Sequence, residues 1–122
     1  MNQTIVKIER GEIYYADLSP TTGSEQGGIR PVIILQNDTG NQYSPTTIVA
    51  SITGREKKKI PTHTMIACAG LPKTSIILLE QLRTIDKSRI GDYVGKADEN
   101  VMSEVDRALA VSVGIEHLIK SK

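Results

Sequence analysis

Arg30 and Thr53 are the first residues whose type and setting invite chemistry. Arg30 stands at the seam of Gly23–Leu35, "GSEQGGIRPVIIL", where small and polar residues give way to an apolar run. Pro31 disfavours the helical region for the residue before it, so Arg30 is pressed into an extended conformation. A guanidinium presented this way suits a phosphate or a carboxylate, which it can hold through paired hydrogen bonds. The plainer reading is an edge arginine in a surface ion pair, and these residues alone favour it. Thr53 ends an alternating strand and precedes Gly54. Its hydroxyl could take a phosphate oxygen, but capping the following turn is the safer expectation.

Other chemistries find little support. The two histidines, His63 and His117, fall in different elements, and Cys68 is the single cysteine. No His-Glu-x-x-His pattern or cysteine pair offers a metal site, so no metal or cofactor is expected. Cys68 reads as a small packing residue. "GSEQGG" lacks the Lys-Ser/Thr of a phosphate-binding loop and runs into a strand, not a helix. Its glycines read as freedom for a loop that opens and closes. The formal net charge of +1 argues against coating nucleic acid by phosphate neutralisation. Four tyrosines, with no phenylalanine or tryptophan, argue against broad stacking platforms, although one or two tyrosines could still stack on bases. The run Arg55–Lys59 reads as a solvated turn that could also steer an anion.

The elements that must position these residues are mostly strands. A chain of 122 residues, 39% hydrophobic, suffices for one domain spanning 1–122. No apolar run approaches the ~20 residues needed to cross a bilayer. The opening "MNQTIVKIER" has no apolar signal segment, so a cytoplasmic protein is expected. Gly11–Ser19 reads as a first strand and Ser19–Gly28 as a loop. Arg30–Asp38 is a strand starting at a proline, where the missing N–H is tolerated. "DTGNQYSPT" reads as a second loop. Thr47–Thr53 sets Ile48, Ala50 and Ile52 on one face and Thr47, Val49 and Ser51 on the other. A strand is expected from Ile60. Thr74–Asp86 carries a central apolar run typical of a strand buried on both sides, and "SRIGDYVGKA" adds a short one. Asp98 is the expected N-cap of a final helix, with Val101, Val105, Ala108, Leu109 and Ser112 on one side. Gly114 kinks or ends it, with "IEHLIK" as a less secure continuation. The fold expected is mainly β with α: a small, strongly curved antiparallel sheet, barrel-like, with a C-terminal helix.

The segment "GEIYYADLSPTTGSEQGGIRPVIILQNDTGNQYSPTTIVASIT", with the later "PTHTMI" and "SIILLEQLRTIDKSRI", resembles the MazF/PemK family of toxin endoribonucleases. The resemblance covers roughly residues 8–116 and is nearest to a Gram-positive branch. It implies the Kid/CcdB-type toxin fold, assembled as a homodimer. It implies sequence-specific, metal-independent cleavage of single-stranded mRNA, with growth arrest. It implies a MazE-like antitoxin whose C-terminal segment occupies the RNA groove. In that family the arginine of the Arg-Pro pair and the threonine ending the "IT" strand are catalytic, which here are Arg30 and Thr53.

Metal-free RNA cleavage can use the substrate's own 2′-hydroxyl, which DNA lacks. Arg30 would then stabilise charge on the phosphorane without changing its own protonation. Thr53 would hold a nonbridging oxygen or orient Arg30. Glu25 is the candidate general base. Ser24, Gln26, Gly27 and Gly28 would contact RNA from a gate over the groove, and Glu80, Gln81 and Arg83 would line the same groove. The blander alternative pairs Glu80 with Arg83 and makes Gln81 a structural amide. An ACA-containing site is a weak guess. Two other readings stay open: a nonenzymatic toxin of the same fold that binds DNA gyrase, and a plain RNA- or peptide-binding barrel.

Overall fold

The computed structural model describes residues 7–119 apart from 56, 57, 59 and 69. The elements run β1 (Glu12–Asp17), β2 (Ile29–Ile34), α1 (Asp38–Tyr43), β3 (Thr46–Thr53), β4 (His63–Ile66), β5 (Ser75–Asp86), β6 (Ile90–Lys96) and α2 (Glu99–Val113). Short 3-10 turns follow β5 and α2. The six strands form one sheet in the order β4-β5-β3-β2-β1-β6, with every pairing antiparallel.

Strand alternation sorts the core into two layers. Ile13, Ile33, Ala50, Ile52, Ile77 and Leu79 share the face covered by α2, where they meet Val105 and Ala108. Tyr14, Ala16, Val32, Ile34, Val49 and Ile85 pack on the opposite face. The sheet curls strongly enough for its edges to approach. A Cβ at Gly70, just beyond β4, would lie 2.1 Å from the Val94 carbonyl of β6. Only glycine fits that approach, and it brings the segment after one edge strand against the other edge. Cys68 packs against the same core, as expected of a small packing residue.

The expected six-stranded antiparallel sheet with a C-terminal helix is what forms. Asp98 caps α2, accepting from Val101 N at 2.8 Å. Gly114 ends the helix in the left-handed region at φ 79°, so "IEHLIK" does not extend it; Glu116–Leu118 make a 3-10 turn instead. Three expectations need correction. "DTGNQYSPT" is not simply a loop, because α1 occupies Asp38–Tyr43. Asn37 caps it, accepting from Gly40 N at 2.7 Å, and buried Asn41 ties it to Gln36 and Thr47. The strand expected from Ile60 starts at His63, behind a turn at Pro61 and Thr62. Ile48 does not share the burial of Ala50 and Ile52: it is 39% exposed. Of the Arg55–Lys59 run, Glu56, Lys57 and Lys59 lie outside the described residues.

Between β3 and β5 lies a large irregularity. Ala50 pairs with Leu82 and the next residue, Ser51, with Leu78. One step along β3 thus spans four along β5, leaving Leu79, Glu80 and Gln81 as a bulge. The excess is odd, so the alternation of β5 inverts across it. Ile77 and Leu79 face α2, whereas Ile85 beyond the bulge joins the opposite layer.

A polar cleft beneath the glycine loop

The loop between β1 and β2 is tied down at both ends. Leu18 N donates to Gly28 O at 2.9 Å, and Gly28 N to Ser19 Oγ at 3.1 Å. Arg83 of β5 donates to Leu18 O. Arg89 donates to Asp17 O and Ser19 O at 3.0 and 2.5 Å. The middle of the loop is closed by Glu25 and Thr22, which exchange two bonds: Thr22 N to Glu25 Oε1 at 2.8 Å and Glu25 N to Thr22 O at 3.1 Å. Gly28 sits at φ +75°, where an L side chain is strained.

Arg30 lies at the hinge of this loop. It pairs with Ala16 across β1 and so projects on the face of Ala16 and Val32, opposite α2. Its Nε donates to Gly27 O at 2.7 Å. Its two terminal nitrogens have no protein partner among the described residues, and no carboxylate pairs with it there. The surface ion pair favoured by the isolated sequence stretch is absent from the described residues. The β2–β3 ladder ends at Val32–Ser51. Continued by two residues in the same register, it sets Arg30 opposite Thr53. Thr53 is only 2% exposed, and its Oγ1 accepts from Arg55 N at 3.2 Å, the turn-capping role that its position suggested.

Beside this pair, under the loop, lies a cavity of about 230 Å³. Glu25 and Gln26 line it from the loop, Gln81 and Arg83 from β5, and Ser51 from β3. Gln26 N donates to Gln81 Oε1 at 3.3 Å, which locks loop and strand together. The expected grouping of Glu25, Gln26, Gln81 and Arg83 therefore forms around one cleft. Ser24 is exposed on the loop. A Cβ at Gly27 would come within 2.5 Å of the Thr21 hydroxyl.

Glu80 stands apart from that group. Its carboxylate accepts from Thr62 Oγ1 at 3.0 Å and lies 3.0 Å from His63 Nε2. Burial would raise its pKa, but hydrogen bonds from His63, from its own backbone N–H and from Thr62 outweigh this and hold the carboxyl below its ordinary value. The alternative ion pair between Glu80 and Arg83 does not form. The bulge explains the split: it turns Gln81 toward the cleft with Arg83 while Glu80 reaches toward β4. No cluster of three or more His, Cys, Asp or Glu able to hold a metal ion occurs among the described residues. Ser51, which had no expected role, also lines the cleft. Alternation sets Ser51 on the face of Thr47 and Val49, but both of these are buried, so the pattern does not separate a serine lining a cleft from one packed in a second core layer.

Fold and site together define a small α+β protein with a hinged arginine and a polar cleft on the sheet face away from its helix. Residues 9–113 match the family of PemK-like, MazF-like toxins of type II toxin–antitoxin systems. The chain belongs to that family. Among solved structures it is similar to an endoribonuclease in complex with its cognate antitoxin from a mycobacterial species. That match has 25% identity over 88% of this chain and 96% of that chain, with a TM-score of 0.76. MazF from Deinococcus radiodurans matches with 24% identity over 89% of this chain and 98% of that chain, at a TM-score of 0.78. A MazE–MazF structure from the same organism matches with 26% identity over 90% and 98%, at 0.71. No helix among the described residues is long and apolar enough to cross a membrane.

Proposed function

We propose that this protein, as one toxin domain over residues 1–122, is a cytoplasmic endoribonuclease that cuts single-stranded mRNA at short sequences and so arrests translation and growth. In this reading it works as a homodimer, needs no metal, and is held inactive by a MazE-like antitoxin whose C-terminal segment fills the RNA groove. The antitoxin partner is supported by the MazE-bound relatives. Assignment to a Gram-positive branch gains no support from the mycobacterial and Deinococcus relatives.

The observation that carries the reading is the state of Arg30. Its backbone is stiffened by Pro31, its Nε is held by Gly27 O, and its terminal nitrogens have no protein partner among the described residues. A guanidinium in that state is ready for a phosphate. The RNA 2′-oxygen attacks the adjacent phosphorus, the bond to the 5′-oxygen breaks, and the departing oxygen takes a proton. Arg30 stabilises the charge that builds on the phosphorane. The burial of Thr53 supports an orienting role over direct contact with a nonbridging oxygen. Glu25 remains the candidate base, although its resting carboxylate is engaged by Thr22 N; the loop must rearrange on RNA to release it.

Primer-extension mapping of cuts on a long RNA in the presence of EDTA tests the reading. The parent protein is expected to give discrete cuts and Arg30→Ala none. Intact RNA with the parent protein overturns it, and gyrase inhibition by the same sample would move the protein to the other toxin class.

A further inference from the structure

Arg89 is committed to backbone and not to an acid. The β1–β6 ladder ends with Ala16 opposite Ile90. One further step of this antiparallel register brings Arg89 beside Asp17, where β1 gives way to the glycine loop. There its guanidinium donates to Asp17 O and Ser19 O at 3.0 and 2.5 Å. No ion pair forms with it among the described residues, and the Asp17 carboxylate accepts from Ser19 N at 3.0 Å instead. Arg83 takes the carbonyl between, Leu18 O. Two guanidiniums thus hold three successive carbonyls at the mouth of the loop. The turn that carries Arg89 is itself firm. The Asp86 side chain accepts from Ser88 N at 2.9 Å, and Lys87 N donates to Pro45 O at 2.9 Å.

We propose that Arg89 is a positioning residue for the cleavage reaction: it fixes Ser19, and through Ser19 and the two loop glycines it fixes the guanidinium of Arg30. The links are consecutive. Ser19 Oγ accepts from Gly28 N at 3.1 Å. The carbonyl of the preceding residue, Gly27 O, accepts from Arg30 Nε at 2.7 Å. That is the one side-chain bond of Arg30 among the described residues, so the place of Gly27 sets the direction of the free terminal nitrogens. Gly28, at φ +75°, has the backbone freedom to swing once Ser19 is loose. A shift of about 1 Å at a reacting group can cost a hundredfold in rate, so a relay of this kind has catalytic weight without touching RNA. Bonds from a charged donor are the strong kind. A lysine at 89 would keep the charge but not the planar fork. Both bonds leave from one terminal nitrogen of Arg89. A direct grip on an RNA phosphate by its other donors is therefore the competing role, and the two roles differ in what they do to binding.

The inference rests on the ribonuclease reading for the role of Arg30, but the relay can be read without RNA. In nitrogen-15 spectra of the parent protein the Arg30 Nε–H should exchange slowly with water. Arg89→Met should speed that exchange about tenfold, the scale of one lost hydrogen bond. Ser19→Ala, which breaks the relay one link further on, should do the same. Exchange at Arg30 that neither substitution changes overturns the proposal. In a cleavage assay Arg89→Met should lower kcat about tenfold with KM little changed, the pattern of an interaction made only in the transition state. Arg89→Lys should recover part of the loss. Arg89→Met combined with Ser19→Ala should cost scarcely more than the costlier of the two alone, because both cut one chain of contacts. Additive losses count against the relay. The salt dependence of RNA binding should match that of the parent protein; a log–log slope flattened by about 0.7, one phosphate contact on a single strand, would make Arg89 an RNA ligand and overturn the proposal. Faster exchange at Arg30 in the variants, with no cutting of RNA by the parent protein, would sink the ribonuclease reading and leave the relay standing.

Discussion

Arg30 is worth most through what it does not touch. A lysine there would keep the charge and lose the planar fork. Arg30→Lys is expected to lower cleavage about a hundredfold, the scale of removing a transition-state donor, with a stability loss of only about 1 kcal/mol from the bond between Nε and Gly27 O. A fluorogenic RNA assay beside a melting curve checks both halves. Thr53→Ser keeps the hydroxyl that caps Arg55 N and should retain most activity. Thr53→Val removes the cap, should cost about 1 kcal/mol of stability, and should reduce cleavage further if the turn positions Arg30. Glu80 contributes differently. Its pKa is lowered by folding from an ordinary value of 4.5, so its stabilisation is present above that pH and is lost as pH falls through the folded value. Urea midpoints measured from neutral pH into the acid range should fall less steeply for Glu80→Gln than for the parent protein.

The glycine loop illustrates what an element adds. Gly28 needs its left-handed φ, and alanine there should cost about 1–2 kcal/mol. Gly27→Ala pushes against the Thr21 hydroxyl, so it perturbs the loop without straining β2. The double replacement is expected to slow cleavage by a larger factor than it shifts the unfolding equilibrium. Equal losses in both measurements would count against a gate. Gly114 is the control: alanine at this left-handed C-cap should cost about 1 kcal/mol and leave the RNA cut pattern unchanged. Much of this was legible beforehand. The Gly-rich loop, the Arg-Pro joint and the Asp98 cap are local signals, each carried by a residue whose backbone preference is strong. Helix α1 was hidden because Thr39 and Gly40 are poor helix formers; a buried asparagine network holds it, which is a tertiary cause. The partner choices of Glu80 and Gln81 were hidden for a similar reason, since adjacent residues in a regular strand give no hint of a bulge between them.

At the scale of the whole molecule, the division of labour follows the two sheet faces. One is covered by α2 and carries most of the larger core. The other presents Arg30, the cleft and the loop. Around the end of α2, Val113, Ile115 and Leu118 are exposed at 52, 44 and 67%, an apolar surface consistent with a protein that does not work alone. Sedimentation at micromolar concentration is expected to give twice the 13.3 kDa of the single chain. The curvature of the sheet was implied by strand count and strand length. Its closure at Gly70 against Val94 was not, because contact between the two edges is a property of the assembled sheet and of no one segment.

The bulge at Leu79–Gln81 behaves like a change of reading frame written into the fold. Upstream of it, odd-numbered residues of β5 belong to the helix side; downstream, even-numbered ones do, as Leu82 does beside Ala50. Deleting Gln81 alone would leave two extra residues, an even excess, so β5 could alternate regularly with Leu82 and Thr84 still on the helix side and Arg83 still on the other. Such a chain should keep a folded circular dichroism spectrum but lose the bond from Gln26 N to the Gln81 side chain that holds the loop to β5. Removing a residue from the turn between β4 and β5 would also leave the phase of both strands intact, whereas a single deletion beyond Leu82, within the regular part of β5, would shift every later side chain to the other face.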